Sequence, residues 1–465
     1  MARRDKARPA GAGLAVVGVV VMGPAAGAHA QVPSTSIHAT GTLTAGYDTN
    51  INAVGEGDEA TGGPVAAFTV QPSPGVAFFV DTPRVRFGLT AATTFFFFIG
   101  NPEFDTTSQD VNAALAYALS PTEELNVAAG WNRFTTNIVT LQDPNETAVQ
   151  AQPQGAGTLN TFTATQGYAR DFSPFLRLLQ TSTASFSFDE ASDETGQPPF
   201  LTVGVGGGPE AILGNHALAA LGDVQWVVPI GAEEGADDIG FATQEQVLLT
   251  ATGRWRWDFD LEWTSELSAG LTTTVTPGFG PGFAPIGSAG VFWTRENYAA
   301  GLTYERSVTP DIVTGQVFTI DAFTLQGSVP IWAPWDLSLQ TSTGFAFSEI
   351  VGQGDEANQA IDTGLVNTWV VDAAVGWTPP QYPNVEVRYQ HFQQFGASDD
   401  QQVLPNFDRD VVSLVVSYTY PQQNIALPTG QPRRVDGGDR DRTLFGADET
   451  ARSEQRRERA AEAPP

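Results

Sequence analysis

Between Asp110 and Phe134 large apolar side chains recur at every second residue. Val111, Ala113, Leu115, Tyr117 and Leu119 make one row, and Asn112, Ala114, Ala116 and Ala118 make the other. A tight Ser120-Pro121-Thr122-Glu123 turn follows, and then Leu125, Val127, Ala129 and Trp131 alternate with Asn126, Ala128, Gly130 and Asn132. A period of two means strands, and the short turn makes them an antiparallel hairpin. In a soluble sandwich the second face would carry charge. Here it carries Gly, Ala, Ser, Thr and Asn, as a strand does when one face meets lipid and the other a wet, crowded lumen.

The pattern recurs along the chain. Val85, Phe87, Leu89 and Ala91 oppose Arg86, Gly88 and Thr90; Val385, Val387 and Tyr389 oppose Glu386, Arg388 and Gln390; and Val412, Leu414, Val416, Tyr418 and Tyr420 end the series. After Ala30 no apolar run reaches the length of about 20 residues that a membrane helix needs. A chain of this kind spans a membrane only as a closed barrel, because lipid leaves no other way to satisfy the backbone. The fold expected is therefore all-β, a transmembrane antiparallel β-barrel of about eighteen strands, sixteen being the other count considered. Residues 198–230 decide between the two. Two strands there keep the alternation of short turns and long loops in phase, and single-chain bacterial barrels have even strand numbers. Within that region Gly204-Val205-Gly206-Gly207-Gly208 lacks the Lys-Thr or Lys-Ser of a phosphate loop and reads as a flexible loop.

Short turns, such as Asp81-Thr82-Pro83-Arg84 and Asp171-Phe172-Ser173-Pro174, alternate with Gly- and acid-rich loops near 53–63, 138–158, 189–200, 231–240, 275–286 and 350–364. Aromatics (Trp255, Trp257, Phe259, Trp263, Trp332, Trp335, Trp377 and Tyr382) gather at the short-turn end, where an interfacial girdle explains them. The ends differ in character. Residues 1–30 combine Arg3, Arg4, Lys6 and Arg8 with an apolar run and Ala28-His29-Ala30, the form of a signal peptide cleaved after Ala30. Residues 31–420 form the barrel, and 421–465, without alternation, read as a disordered tail.

Composition narrows the chemistry. The absence of cysteine excludes disulfides and thiolate metal sites. Residues 31–420 hold 11 basic and 43 acidic side chains, which excludes a nucleic-acid partner. The only histidines beyond the leader, His38, His216 and His391, are isolated from one another. No Gly-x-Ser-x-Gly elbow occurs, so no enzyme, cofactor or resident metal is expected. Acidic clusters fall in the long loops: Glu56, Asp58 and Glu59; Asp189, Glu190, Asp193 and Glu194; Glu233, Glu234, Asp237 and Asp238; Asp355 and Glu356; Asp399 and Asp400. They are solvated loop charge or oxygen ligands for divalent cations that bridge loops or lipopolysaccharide. By alternation the charges expected in the lumen are Arg86, Arg177, Arg254, Arg256, Asp258, Glu262, Glu266, Glu305, Asp336, Asp372, Glu386 and Arg388. They would brace the wall as cross-strand ion pairs and set the selectivity of a polar conduit.

One stretch carries a resemblance. Gly46-Tyr47-Asp48-Thr49-Asn50-Ile51, then Thr69-Val70-Gln71-Pro72-Ser73-Pro74-Gly75-Val76 and the turn into Val85, resembles outer-membrane barrels associated with exopolysaccharide secretion, over residues 37–99. The resemblance implies polysaccharide export across the outer membrane beside a periplasmic export partner. The residues alone leave open a cation-preferring diffusion porin and a plugged structural or adhesive barrel.

Overall fold

The computed structural model describes residues 34–51, 64–135, 158–190, 199–230, 245–260, 262–275, 282–295, 297–310, 317–332, 336–350, 366–379, 382–396 and 406–420. The expected signal peptide and its cleavage site, the expected disordered tail and most of the acidic loop clusters lie outside these residues.

Eighteen strands follow in chain order. The first six are β1 (Ser34–Asp48), β2 (Ala67–Asp81), β3 (Val85–Ile99), β4 (Thr106–Ser120), β5 (Glu123–Thr135) and β6 (Thr158–Ser173). Then come β7 (Leu176–Asp189), β8 (Phe200–Leu213), β9 (His216–Pro229), β10 (Gln246–Asp258), β11 (Trp263–Val275) and β12 (Gly282–Arg295). The last are β13 (Tyr298–Pro310), β14 (Val317–Trp332), β15 (Leu337–Ile350), β16 (Val366–Trp377), β17 (Asn384–Gly396) and β18 (Phe407–Tyr420). Each pairs antiparallel with its chain neighbours, and β1 also pairs with β18, from Ala39 opposite Tyr420 to Asp48 opposite Val411. The sheet has no free edge. Eighteen strands about 4.8 Å apart and tilted roughly 35–45° close a circle about 35 Å across between backbones.

The registers sort every strand into an outward and an inward row. Outward lie Ile37, Leu43, Phe68, Val76, Leu89, Leu267, Leu271, Leu302, Leu325, Val387 and Leu414, all exposed. An exposed apolar belt around a closed sheet is the lipid-facing wall of a transmembrane barrel. Aromatics bound it at both ends, not only at the short turns. Tyr47, Phe68, Phe97, Trp131, Phe162, Trp226 and Trp369 lie toward the long loops, and Tyr117, Tyr168, Trp255, Trp263, Trp293, Trp377 and Tyr418 lie toward the short turns.

The turns are built from short polar side chains. Thr82 Oγ1 accepts from Val85 N at 2.8 Å, and Asp260 Oδ1 accepts from Glu262 N and Trp263 N at 2.7 and 2.9 Å. At the β8–β9 turn Gly214 takes φ +61°, the left-handed region open to glycine. The run Gly204–Gly208, expected as a loop, is instead the middle of β8. A Cβ on Gly208 would sit 1.9 Å from Ala220 O, and one on Gly207 (φ +152°) would sit 2.3 Å from Leu179 O. Glycine here permits close approach of neighbouring strands, which composition alone does not distinguish from flexibility.

The stretch that carries the family resemblance closes the ring. Arg409 Nε donates to both oxygens of Asp48 at 3.0 Å, and the two side chains are almost wholly buried. Asn50 Nδ2 donates to Asp408 O at 2.9 Å, while Thr49 N donates to Asp410 O at 3.0 Å and Thr49 Oγ1 accepts from Asp410 N at 2.8 Å. Asp48-Thr49-Asn50 thus clasps Asp408-Arg409-Asp410 at the loop end of the seam. Pro72 and Pro74 lack N–H donors, and the β2–β3 ladder skips from Val70–Phe97 to Gly75–Ala92. A Ser73–Thr94 hydroxyl bond of 2.7 Å bridges that gap.

Candidate functional site

The inner wall gathers most of the polar side chains of the strands. Of the charges expected there, Arg86, Arg177, Arg254, Arg256, Asp258, Glu266, Glu305, Asp372, Glu386 and Arg388 occupy inward rows. Glu262 and Asp336 do not. Glu262 precedes β11 in a turn, pairing with Arg295 at 3.5 Å and accepting from the outward Trp293 indole at 3.3 Å. Asp336 occupies the β14–β15 turn with φ 49°, its carbonyl accepting from Thr378 N at 3.3 Å. Both lie past the point where the strand ends and the chain bends, where parity no longer specifies a face.

The same parity places Asp48, Asp81, Asp110, Glu124, Asp171, Glu210, Asp223 and Arg409 inward as well. Sequence reasoning missed these for identifiable reasons. Glu210 follows the glycine run taken for a loop, and Asp223 lies in the stretch where large residues alternate with Gly and Ala.

Every inward arginine among the described residues meets a carboxylate. Arg86 lies 3.5 Å from Asp81, Arg177 2.6 Å from Asp171, Arg254 3.2 Å from Glu210 and Arg256 3.3 Å from Asp258. Arg388 Nε donates to Asp372, and Arg409 to Asp48. Glu210 is buried and lies two strands from Arg254, so the bond spans β9 where Ala219 leaves room. These pairs brace the wall.

The carboxylates are in excess. Twelve of them face six arginines among the described inward residues. Asp110 takes hydrogen bonds from Asn112 and Asn132, and Glu124 from Asn126. Glu266 shares Arg256 at 3.8 Å. Asp223 and Glu305 sit at the centres of β9 and β13 and Glu386 near the start of β17, and among the described residues none of the three forms an ion pair; Arg388, the inward neighbour of Glu386, pairs with Asp372 instead. The inner wall is a polar surface with an uncompensated negative charge.

Among the described residues, tryptophan and tyrosine are absent from that surface. Every Trp and Tyr in the described strands takes the outward row, leaving phenylalanines such as Phe79, Phe98, Phe292, Phe392 and Phe407 as the inward aromatics. His38 is inward and buried, His216 stacks outward against Trp255, and His391 bonds outward to Asp410 at 2.9 Å. Among the described residues no group of His, Asp and Glu is arranged to hold a metal ion.

No family model and no curated protein matches the chain. Solved structures with some likeness include the outer membrane protein OpdK of Pseudomonas aeruginosa, at 12% identity, 83% of this chain, 99% of that chain and TM-score 0.39. Others are OpdQ of the same organism (10%, 83%, 97% and 0.41) and OccAB3 of Acinetobacter baumannii (10%, 83%, 99% and 0.41). At such scores these likenesses add nothing to what the strand registers show.

Proposed function

We propose that the chain is an outer-membrane channel through which small hydrophilic solutes diffuse, cations in preference to anions. The observation that carries this reading is the inner wall, with twelve carboxylates against six arginines. A conduit with that balance concentrates cations and repels anions at ordinary ionic strength. A transporter of sugar chains gains from aromatic faces on which rings stack, and no strand Trp or Tyr among the described residues is turned inward. The exopolysaccharide-export reading rests on residues 37–99, whose most distinctive stretch closes the seam and bears on no substrate.

The test is single-channel conductance of the refolded protein in a planar bilayer, with reversal potential under a salt gradient. A steady conductance with cation-selective reversal is expected, unaffected by added oligosaccharide. Block by oligosaccharide would return polysaccharide export to the front. Folded, inserted protein without conductance would overturn the open channel and leave the plugged structural barrel.

A further inference from the structure

In a closed barrel each backbone donor and acceptor is met by a neighbouring strand, and hydrocarbon offers no substitute. The wall departs from this rule between β2 and β3. The register is the same above and below the gap, so Gln71, Pro72, Ser73 and Pro74 stand opposite Phe96, Phe95, Thr94 and Thr93 without ladder pairing. The β1–β2 ladder runs unbroken through both prolines, so their nitrogens are turned toward β3. Proline has no N–H to give. The facing pairs Pro72–Phe95 and Pro74–Thr93 can therefore form only one of the two bonds that such pairs exchange. The carbonyls of Phe95 and Thr93 are left without ladder donors at the middle of the strands.

Two other described ladders are interrupted in different ways. That of β8 and β9 skips a shorter stretch, where Gly208 lets the backbones press together, and that of β12 and β13 is unpaired toward its loop end. The β2–β3 gap is a window, bonded above and below. Its two faces differ. Inward, the Ser73 and Thr94 hydroxyls meet across it at 2.7 Å, and the β3 row continues toward the loop end as Phe96 and Phe98, packed with Ile51, Val65 and Phe104. Outward stand Pro72, Pro74 and the exposed, stacked Phe95 and Phe97. Beside Pro74, Gly41 leaves open space. An apolar track thus leads down a polar wall to a half-bonded stretch whose outer surface is apolar.

We propose that this window is a lateral portal, through which a small apolar amine that enters the lumen at the loop end passes between β2 and β3 into the bilayer. The phenylalanine track takes its apolar body, the two carbonyls accept its N–H, and the acidic lumen favours a basic solute over an acidic one. Parting the strands is easier here than along an intact ladder, because fewer bonds must break. The portal goes beyond the diffusion of hydrophilic cations and rests on that reading only in needing a lumen open at the loop end.

The probe is N-phenyl-1-naphthylamine, an apolar amine that an intact outer membrane excludes and that fluoresces on reaching hydrocarbon. Placed in the outer membrane of a porin-deficient bacterium, the chain is expected to raise the rate of fluorescence gain several-fold over cells without it. Ser73→Cys with Thr94→Cys sets a disulfide across the window of a chain that has no other cysteine. It is expected to return the rate to that baseline, and a reductant to restore it. Thr250→Cys with Thr272→Cys, whose hydroxyls meet at 2.9 Å across the intact β10–β11 ladder, is expected to change nothing. Pro72→Val with Pro74→Val, which returns both N–H donors, should lower entry as the first disulfide does, while potassium conductance of the purified barrels stays that of the parent. A conducting barrel that gives no gain of entry, or whose entry both disulfides leave alone or lower alike, would overturn the portal alone. A folded, inserted barrel that neither conducts nor admits the probe would overturn the channel reading and the portal together.

Discussion

The Asp48–Arg409 pair shows how much one contact can decide in a ring. Both side chains are almost wholly buried at the junction of first and last strands. Removing one partner of such a pair strands the other charge and costs about 3–5 kcal/mol. Asp48→Asn, which leaves Arg409 facing a neutral amide, is expected to lower the urea midpoint of the refolded barrel markedly. The same change at the half-exposed Asp81, which pairs with Arg86 at the short-turn end, should cost little. A second residue-scale expectation concerns acid. Arg133 donates to Glu190 at 2.8 and 3.0 Å and Asn160 at 3.0 Å, and these bonds, Arg133's first, hold the carboxyl at about 2 instead of 4.5. A depressed folded pKa gives stabilisation that is complete above 4.5 and is lost as pH falls toward about 2. The Trp131 indole donates to Asn160 Oδ1 at 3.2 Å, so its resonance should shift across that window and stay still in Glu190→Gln. Neither contact was legible beforehand. Parity specifies a face, but not which residue on a distant strand will stand opposite.

At the scale of elements the strands were the most legible feature, because lipid on one side and water on the other enforce a period of two. The hairpin of β4 and β5 follows its alternation nearly residue by residue, with a register shift between Ala118 and Ser120. Legibility failed where another constraint replaced side-chain contrast. In β8 close strand approach selects glycine, erasing the alternation that identifies a strand. Gly208→Ala would place its Cβ 1.9 Å from Ala220 O, against 3.9 Å from Ala269 O for Gly253→Ala. The first variant should lose most of its refolding yield and the second almost none, as read by heat-modifiable mobility on gels. Glu262 and Asp336 show the opposite failure, an alternation that runs on into turns where it no longer assigns a face.

For the whole molecule, the count of eighteen followed from keeping short and long connections in phase, and the structure has that number. The sign of the lumen charge was likewise visible, since the 43 acidic residues against 11 basic ones between residues 31 and 420 leave few ways to balance an inner wall. Which carboxylates remain uncompensated was not, because it depends on which arginine reaches across which strand. Asp223→Asn, Glu305→Gln and Glu386→Gln together should move the reversal potential toward zero without closing the channel. Arg256→Gln should move it the other way.

The outward placement of the indoles gives the barrel a convenient optical asymmetry. Nine of its ten tryptophans lie on described strands, and all nine look away from the lumen. Their emission reports the bilayer, so brominated acyl chains will dim it strongly. A water-soluble quencher confined to the lumen will leave the emission of those nine almost untouched, so they are blind to whatever occupies the barrel interior.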